Sequence, residues 1–182
     1  MSKIIDLRSD TVTLPTDEMR QAIANAKLGD DVFCEDPTVN KLEEKSAQIM
    51  GKESGLLVPS GTMGNLVSIL VHCDRGTEII LGDKSHTFIF EAGGISAFGG
   101  IHSRQLKNQA DGTIKIEDIH TAIRMDNVHF PKTSAITLEN THNLCNGSPL
   151  LPEYIQEVAQ IAHNNNIKLH IDGARIFNAA VA

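Results

Sequence analysis

Short apolar runs alternate along this chain with stretches whose apolar residues recur at helical spacing. Glu78 to Leu81, Ser134 to Leu138 and Ile167 to Ile171 have the length and composition of buried strands, and Ile101 to Leu106 reads as a further strand. Between them Leu66, Ile69 and Leu70 mark one helix face. Ile116, Ile119, Ala122 and Ile123 mark another, over Ile116 to Arg124, and Ile155, Val158, Ala159 and Ala162 mark a third, opened by Pro152. Strands written as apolar runs and helices written as amphipathic stripes predict an α/β fold: three layers, with a mostly parallel sheet covered on both faces. Upstream, Ile4 to Thr13 reads as a short extended segment. Pro15 and Thr16 open a helix carrying Met19, Ile23 and Ala26, and Pro37 opens one that turns Leu42, Ile49 and Met50 towards a core and stops at Gly51. No internal repeat or linker interrupts the pattern.

The polar residues gather where the strands end. The run Ile167 to Ile171 delivers Asp172, and a Gly-Ala turn then leads to Arg175. In open α/β sheets ligands collect outside the carboxyl ends of the strands, so an acid and a base there fit a site; a helix cap with a paired Arg is the plain alternative. Ser60, Gly61 and Thr62 stand before a helix, where backbone N–H groups welcome an anion or a Ser simply caps. His86 follows the end of the Glu78 to Leu81 run, placed either to work on a ligand or to serve as a structural residue. Glu139, Asn140, Thr141 and His142 end the next strand, and His129 lies in the loop before it. Arg8, Ser9, Asp10 and Thr11 form a polar group or a solvated arm. The small-residue stretch Ala92 to Gly100 suits close packing around a ligand or subunit, or a short helix. The acids between Gly29 and Thr38 lack the spacing of a calcium loop and read as caps, so no metal site is assigned.

Composition narrows the class. The 182 residues are 41% apolar and 21% charged, with a formal net charge of -7. With no cluster of Lys and Arg, nucleic acid and anionic membranes are not the expected partners. No run approaches the roughly 18 apolar residues of a membrane span, and the first residues lack a signal core. Cys34, Cys73 and Cys145 are too few and too scattered for a disulfide framework or zinc set, so they read as reduced thiols of a cytoplasmic protein.

Taken in order, DLRSDTVT, DDVFCEDPT, VPSGTMGN, KSHTF, ENTHN and HIDGARIFNA span essentially the whole chain, and together they resemble the N-terminal part of low-specificity L-threonine aldolases. Those are lyases dependent on pyridoxal 5'-phosphate (PLP), with the aspartate-aminotransferase-like fold. The resemblance implies that Gly61 and Thr62 hold the cofactor phosphate, that His86 stacks on its ring, and that Asp172 keeps the ring nitrogen protonated. It implies that Ser9 and Arg175 grip the carboxylate of a small amino-acid substrate, with Arg175 also counted among the cofactor's contacts, and that His86 and His129 serve proton transfer at the β-hydroxyl. The implied reaction cleaves L-threonine or L-allo-threonine to glycine and an aldehyde, in a homodimer or homotetramer of the full-length protein. Cys34 stands where the motif leads one to expect Gly, and Phe33 and Phe90 where some relatives carry Tyr. No lysine of the chain stands in the motif of the Schiff-base lysine. The expected domain content is therefore an N-terminal segment and an incomplete large PLP-binding domain over residues 1–182, without the small C-terminal domain. An apolar sheet edge left uncovered would favour association. The alternatives are a truncated non-catalytic chain of the same fold that binds phosphate or PLP weakly or pairs with a full-length subunit, or another PLP enzyme such as a β-eliminating lyase, racemase or transaminase.

Overall fold

A computed structural model of the chain describes residues 4–182. It forms two compact units, Met1–Leu57 and Val58–Ala182.

In the first unit Ser9 caps a single turn, Asp10–Val12, by accepting the Thr11 N–H. Helix α1 (Asp17–Ala24) is capped by Thr16 and carries Asp17 and Glu18 in its positively polarised first turn. The acids of the next loop act as caps, as their positions imply. Asp30 accepts the Val32 N–H, and Asp36 accepts those of Thr38 and Val39 at the start of α2 (Pro37–Met50). Those backbone donors, Val39 first, hold the Asp36 carboxyl below its ordinary range. Gly51 ends α2 at φ 61°, in the left-handed region that suits glycine. Two expectations fail here. Ala26 lies beyond the end of α1, and Leu42, Ile49 and Met50 are 48%, 54% and 45% exposed. Helical spacing is present, but Ala47 and Asp36 are the only described residues this unit buries, so its apolar stripes meet no core of its own.

The second unit carries the sheet. Its elements are α3 (Gly61–His72), β1 (Glu78–Gly82), α4 (His86–Ile89), α5 (Gly94–Ala97), β2 (His102–Leu106), α6 (Ile116–Ala122), β3 (Thr133–Glu139), α7 (Pro152–Asn164), β4 (Lys168–Asp172) and α8 (Ile176–Val181). The four strands are all parallel, in the order β2-β1-β3-β4. Successive side chains on a strand point to opposite faces, and the core divides accordingly. Ile80, Ile136 and Leu138 pack with Ile119 and Ala122 of α6 and Val158, Ile161 and Ala162 of α7. Ile79, Leu81 and Ala135 pack with Ile69 of α3 and Ile95 of α5. The result is the expected three-layer α/β arrangement.

The strand from Ile167 is expected to be buried, and here the structure differs. Among the described residues β4 pairs only with β3, so Lys168 is exposed and Leu169 to Ile171 are half-buried. The other edge, β2, reads His-Ser-Arg-Gln-Leu and is likewise polar on its open side. No helix among the described residues is long and apolar enough to cross a membrane.

Candidate active site

Because the strands are parallel, their carboxyl ends share one rim, where Glu139 of β3 and Asp172 of β4 are register partners. Helix α3 brings Asn65 to that rim. Its Nδ2 donates to Asp172 Oδ2 at 2.9 Å and to Glu91 Oε1 at 2.8 Å, and its Oδ1 takes a bond from His170 Nε2 at 2.9 Å. A carboxylate only accepts, so these partners decide which end of the amide faces which way. Asp172 and Glu91 are 7% and 6% exposed, so without those N–H groups two buried carboxylates would face one another. Burial, opposed by Asp172, holds His170 below its ordinary pKa and favours the neutral ring.

Glu91 also meets His86, Nδ1 to Oε1 at 3.0 Å. With Nδ1–H turned to that carboxylate, Nε2 is left as the ring's acceptor. One ligand-type atom each from His86, Glu91 and Asp172 lies within 4.8 Å of the others, and both carboxylates accept from the Asn65 amide. The His86 ring lies 5.4 Å from that of Phe90, tilted by 44°.

Glu139 is a second node. Its Oε2 accepts the His86 N–H at 2.7 Å, and its Oε1 accepts the Asn143 N–H at 2.9 Å and Arg175 Nη2 at 3.1 Å. Arg175 also donates from Nη2 to the Thr141 carbonyl at 2.9 Å and from Nε to Thr141 Oγ1 at 3.2 Å. One buried carboxylate thus ties the segments after β1, β3 and β4 together. His142, next in line, is 1% exposed with neither ring nitrogen hydrogen-bonded, and burial lowers its pKa despite the opposing charge of Glu139.

At the start of α3, Ser60 accepts the Met63 N–H, while the N–H groups of Gly61 and Thr62 have no partner among the described residues. A Cβ added to Gly61 would meet nothing within 4 Å, so the approach to those donors is open. The cap reading of this turn is thus realised by Ser60, and two N–H groups beside it stay open. Asn65 follows Thr62 by about 4.5 Å along the helix axis, and its amide donates to Asp172 at 2.9 Å.

The structure brings Gly61, Thr62, His86, Asp172 and Arg175 into one unit, on the α3 start and the rim. His129 belongs to the same unit but sits on the loop before β3, at the opposite end of the sheet, and the seven residues of that strand span about 20 Å. Within one chain it does not join His86. Ser9 lies in the first unit, where its hydroxyl bonds with the Thr11 N–H and Thr11 Oγ1. Sequence reasoning gave no role to Asn65, Glu91 or His170. An Asn beside the apolar stripe of α3, whose partners Glu91, His170 and Asp172 lie far along the chain, carries no local signal beyond its polarity.

Residues 6–182 match the model of the family described as beta-eliminating lyase. The chain is 54% identical over 181 residues to low-specificity L-threonine aldolase 1 of Arabidopsis thaliana, covering 98% of this chain and 51% of that protein. It is 46% identical over 179 residues to the low specificity L-threonine aldolase of Escherichia coli (strain K12), covering 98% and 53% respectively. Among solved structures it is similar to a Listeria monocytogenes EGD-E protein assigned as an L-allo-threonine aldolase, with a TM-score of 0.71 and 27% identity over 86% of this chain and 43% of that one. The chain spans about half the length of the curated relatives it matches. Both the match over nearly every residue and the rim of the sheet lead to one conclusion: the chain belongs to the beta-eliminating lyase family, whose enzymes depend on PLP.

Proposed function

We propose that this chain carries the cofactor-binding part of a PLP-dependent aldolase that cleaves L-threonine, L-allo-threonine and related β-hydroxy-α-amino acids to glycine and an aldehyde. The observation that carries the reading is the single helix α3: its open first turn offers the Gly61 and Thr62 N–H groups, and its Asn65 holds Asp172. In this reading those N–H groups bind the phosphate and Asp172 holds a proton on the ring nitrogen. PLP, when bound, supplies the sink for the electrons released when Cα–Cβ breaks. His86 lies against the ring, and its Nε2 takes the proton of the β-hydroxyl, directly or through a water, as that oxygen becomes a carbonyl. Arg175, steadied by Glu139 and Thr141, meets the substrate carboxylate.

His129 reaches this chemistry only if another copy of the chain supplies it, which the proposed homodimer or homotetramer of the full-length protein would allow. The same reading puts the protein in the cytoplasm, in amino-acid metabolism that forms glycine. The test is product analysis of the full-length protein with PLP and each threonine diastereomer. Equimolar glycine and acetaldehyde is the expected result. Ammonia with a keto acid, or racemised substrate without cleavage, would replace the aldolase with another reaction of the family.

A further inference from the structure

The Asn65 amide is more than a tie between α3 and β4. It spends both of its N–H groups on two different buried carboxylates, Asp172 and Glu91, and its carbonyl is held by His170. Glu91 in turn bonds to His86 Nδ1. In the proposed function the two carboxylates would serve different parts of the cofactor: Asp172 the ring nitrogen, and Glu91, through His86, the ring face. A group that merely filled space on α3 would need neither donor. A water in its place would be free to turn, whereas this amide cannot flip without setting its oxygen against two carboxylates and its NH2 against the ring that now donates to it.

We propose that Asn65, locked by His170, is a positioning residue of the cofactor site that orients Asp172 and the Glu91–His86 pair as one unit. The proposal rests on the reading of Asp172 as the partner of the PLP ring nitrogen. Other charged groups border the network: Glu139 of β3 on the His86 backbone, Arg175 on Glu139, and His72 of α3, which acts on His170. None of these donates to Asp172 or Glu91 in the hydrogen bonds described; beside Asn65, Asp172 Oδ1 accepts the Ala174 N–H at 3.2 Å and Glu91 meets His86, but only Asn65 reaches both carboxylates.

The test uses the full-length protein and PLP itself, with affinity read by absorbance titration and the bound geometry by visible circular dichroism of the cofactor. Asn65→Leu keeps the branching of the side chain and removes the donors. It is expected to weaken PLP about tenfold and to change the sign or size of the visible dichroic band, while the thermal unfolding transition remains cooperative. His170→Phe, at a half-buried position, leaves the amide in place but unlocked. It should weaken PLP by a smaller factor and add nothing further in the Asn65→Leu background. If Asn65→Leu does not fold, His170→Phe carries the test alone, through the same band. Wild-type affinity and dichroism in both variants, with PLP affinity lowered in Asp172→Ala, would overturn this proposal and leave the Asp172 reading standing. Unchanged affinity in Asp172→Ala would overturn that reading instead.

Discussion

Replacing Glu139 with glutamine tests how the rim is held together, because it changes charge and hydrogen bonding while keeping the shape. The carboxylate accepts from two backbone N–H groups, His86 and Asn143, and from Arg175 Nη2. An amide has one oxygen. Turned towards Asn143 and Arg175, it sets its NH2 against the His86 N–H, which then has no acceptor beside a residue that is 3% exposed. Leaving a buried donor unsatisfied costs about 1–3 kcal/mol. Arg175 loses the ionic part of its contact, discounted to at most about 1 kcal/mol because its side chain is 21% exposed. No cavity opens, so the whole effect is about 1–4 kcal/mol of destabilisation. Denaturant unfolding of wild type and Glu139→Gln measures it. Hydrogen exchange locates it, with the His86 amide expected to exchange at least tenfold faster. A change below about 0.5 kcal/mol, with the His86 amide as protected as before, would refute the argument that this carboxylate organises the rim.

Three further outcomes follow from single features. Cys34 is held at φ 58°, where a Cβ is strained and glycine is not, which gives a physical reason for the Gly expected at that position. Cys34→Gly should raise the stability of the first unit by up to about 1 kcal/mol, and a lower unfolding midpoint would contradict this. His142 and His170 both have pKa values lowered from 6.5, chiefly by burial, so the folded state takes up their protons less readily than the unfolded chain does. The stability they contribute is present above pH 6.5 and is lost as pH falls from there towards their folded values. Unfolding midpoints should drop over that window and drop less in His142→Leu; an equal slope in that variant would refute the assignment. Finally, Cys34 is exposed while Cys73 and Cys145 are buried, and burial pushes the Cys73 thiol up to about 11. A thiol reagent at neutral pH should label one cysteine per native chain and three after unfolding; rapid labelling of Cys73 in the native protein would contradict its burial.

The fold was legible where local pattern decides it. β1 and β3 are written as apolar runs because both of their faces are covered, and α7 declares itself through Pro152, Ile155, Val158 and Ala162. Pairing was not legible: the stretch from Ile167 is as apolar as a central strand, and only the sheet order makes β4 an edge. Nor was the fate of the α2 stripe, since spacing marks which residues share a face and not whether anything covers it. The site divides the same way. Gly61, His86, Asp172 and Arg175 sit beside turns and strand ends that mark themselves in the sequence. Asn65, Glu91 and His170 act through partners 26 to 107 residues away, so only the folded chain reveals them.

The account stands or falls on Asp172 as the group that keeps the PLP ring nitrogen protonated. The direct measurement is nitrogen NMR of the full-length protein loaded with PLP carrying 15N in its ring, for wild type and Asp172→Ala. The account predicts a shielded, protonated pyridinium nitrogen in wild type at neutral pH, and the deshielded resonance of an unprotonated ring in Asp172→Ala. An unprotonated nitrogen in the loaded wild-type protein, or the same protonated resonance in both, would contradict it.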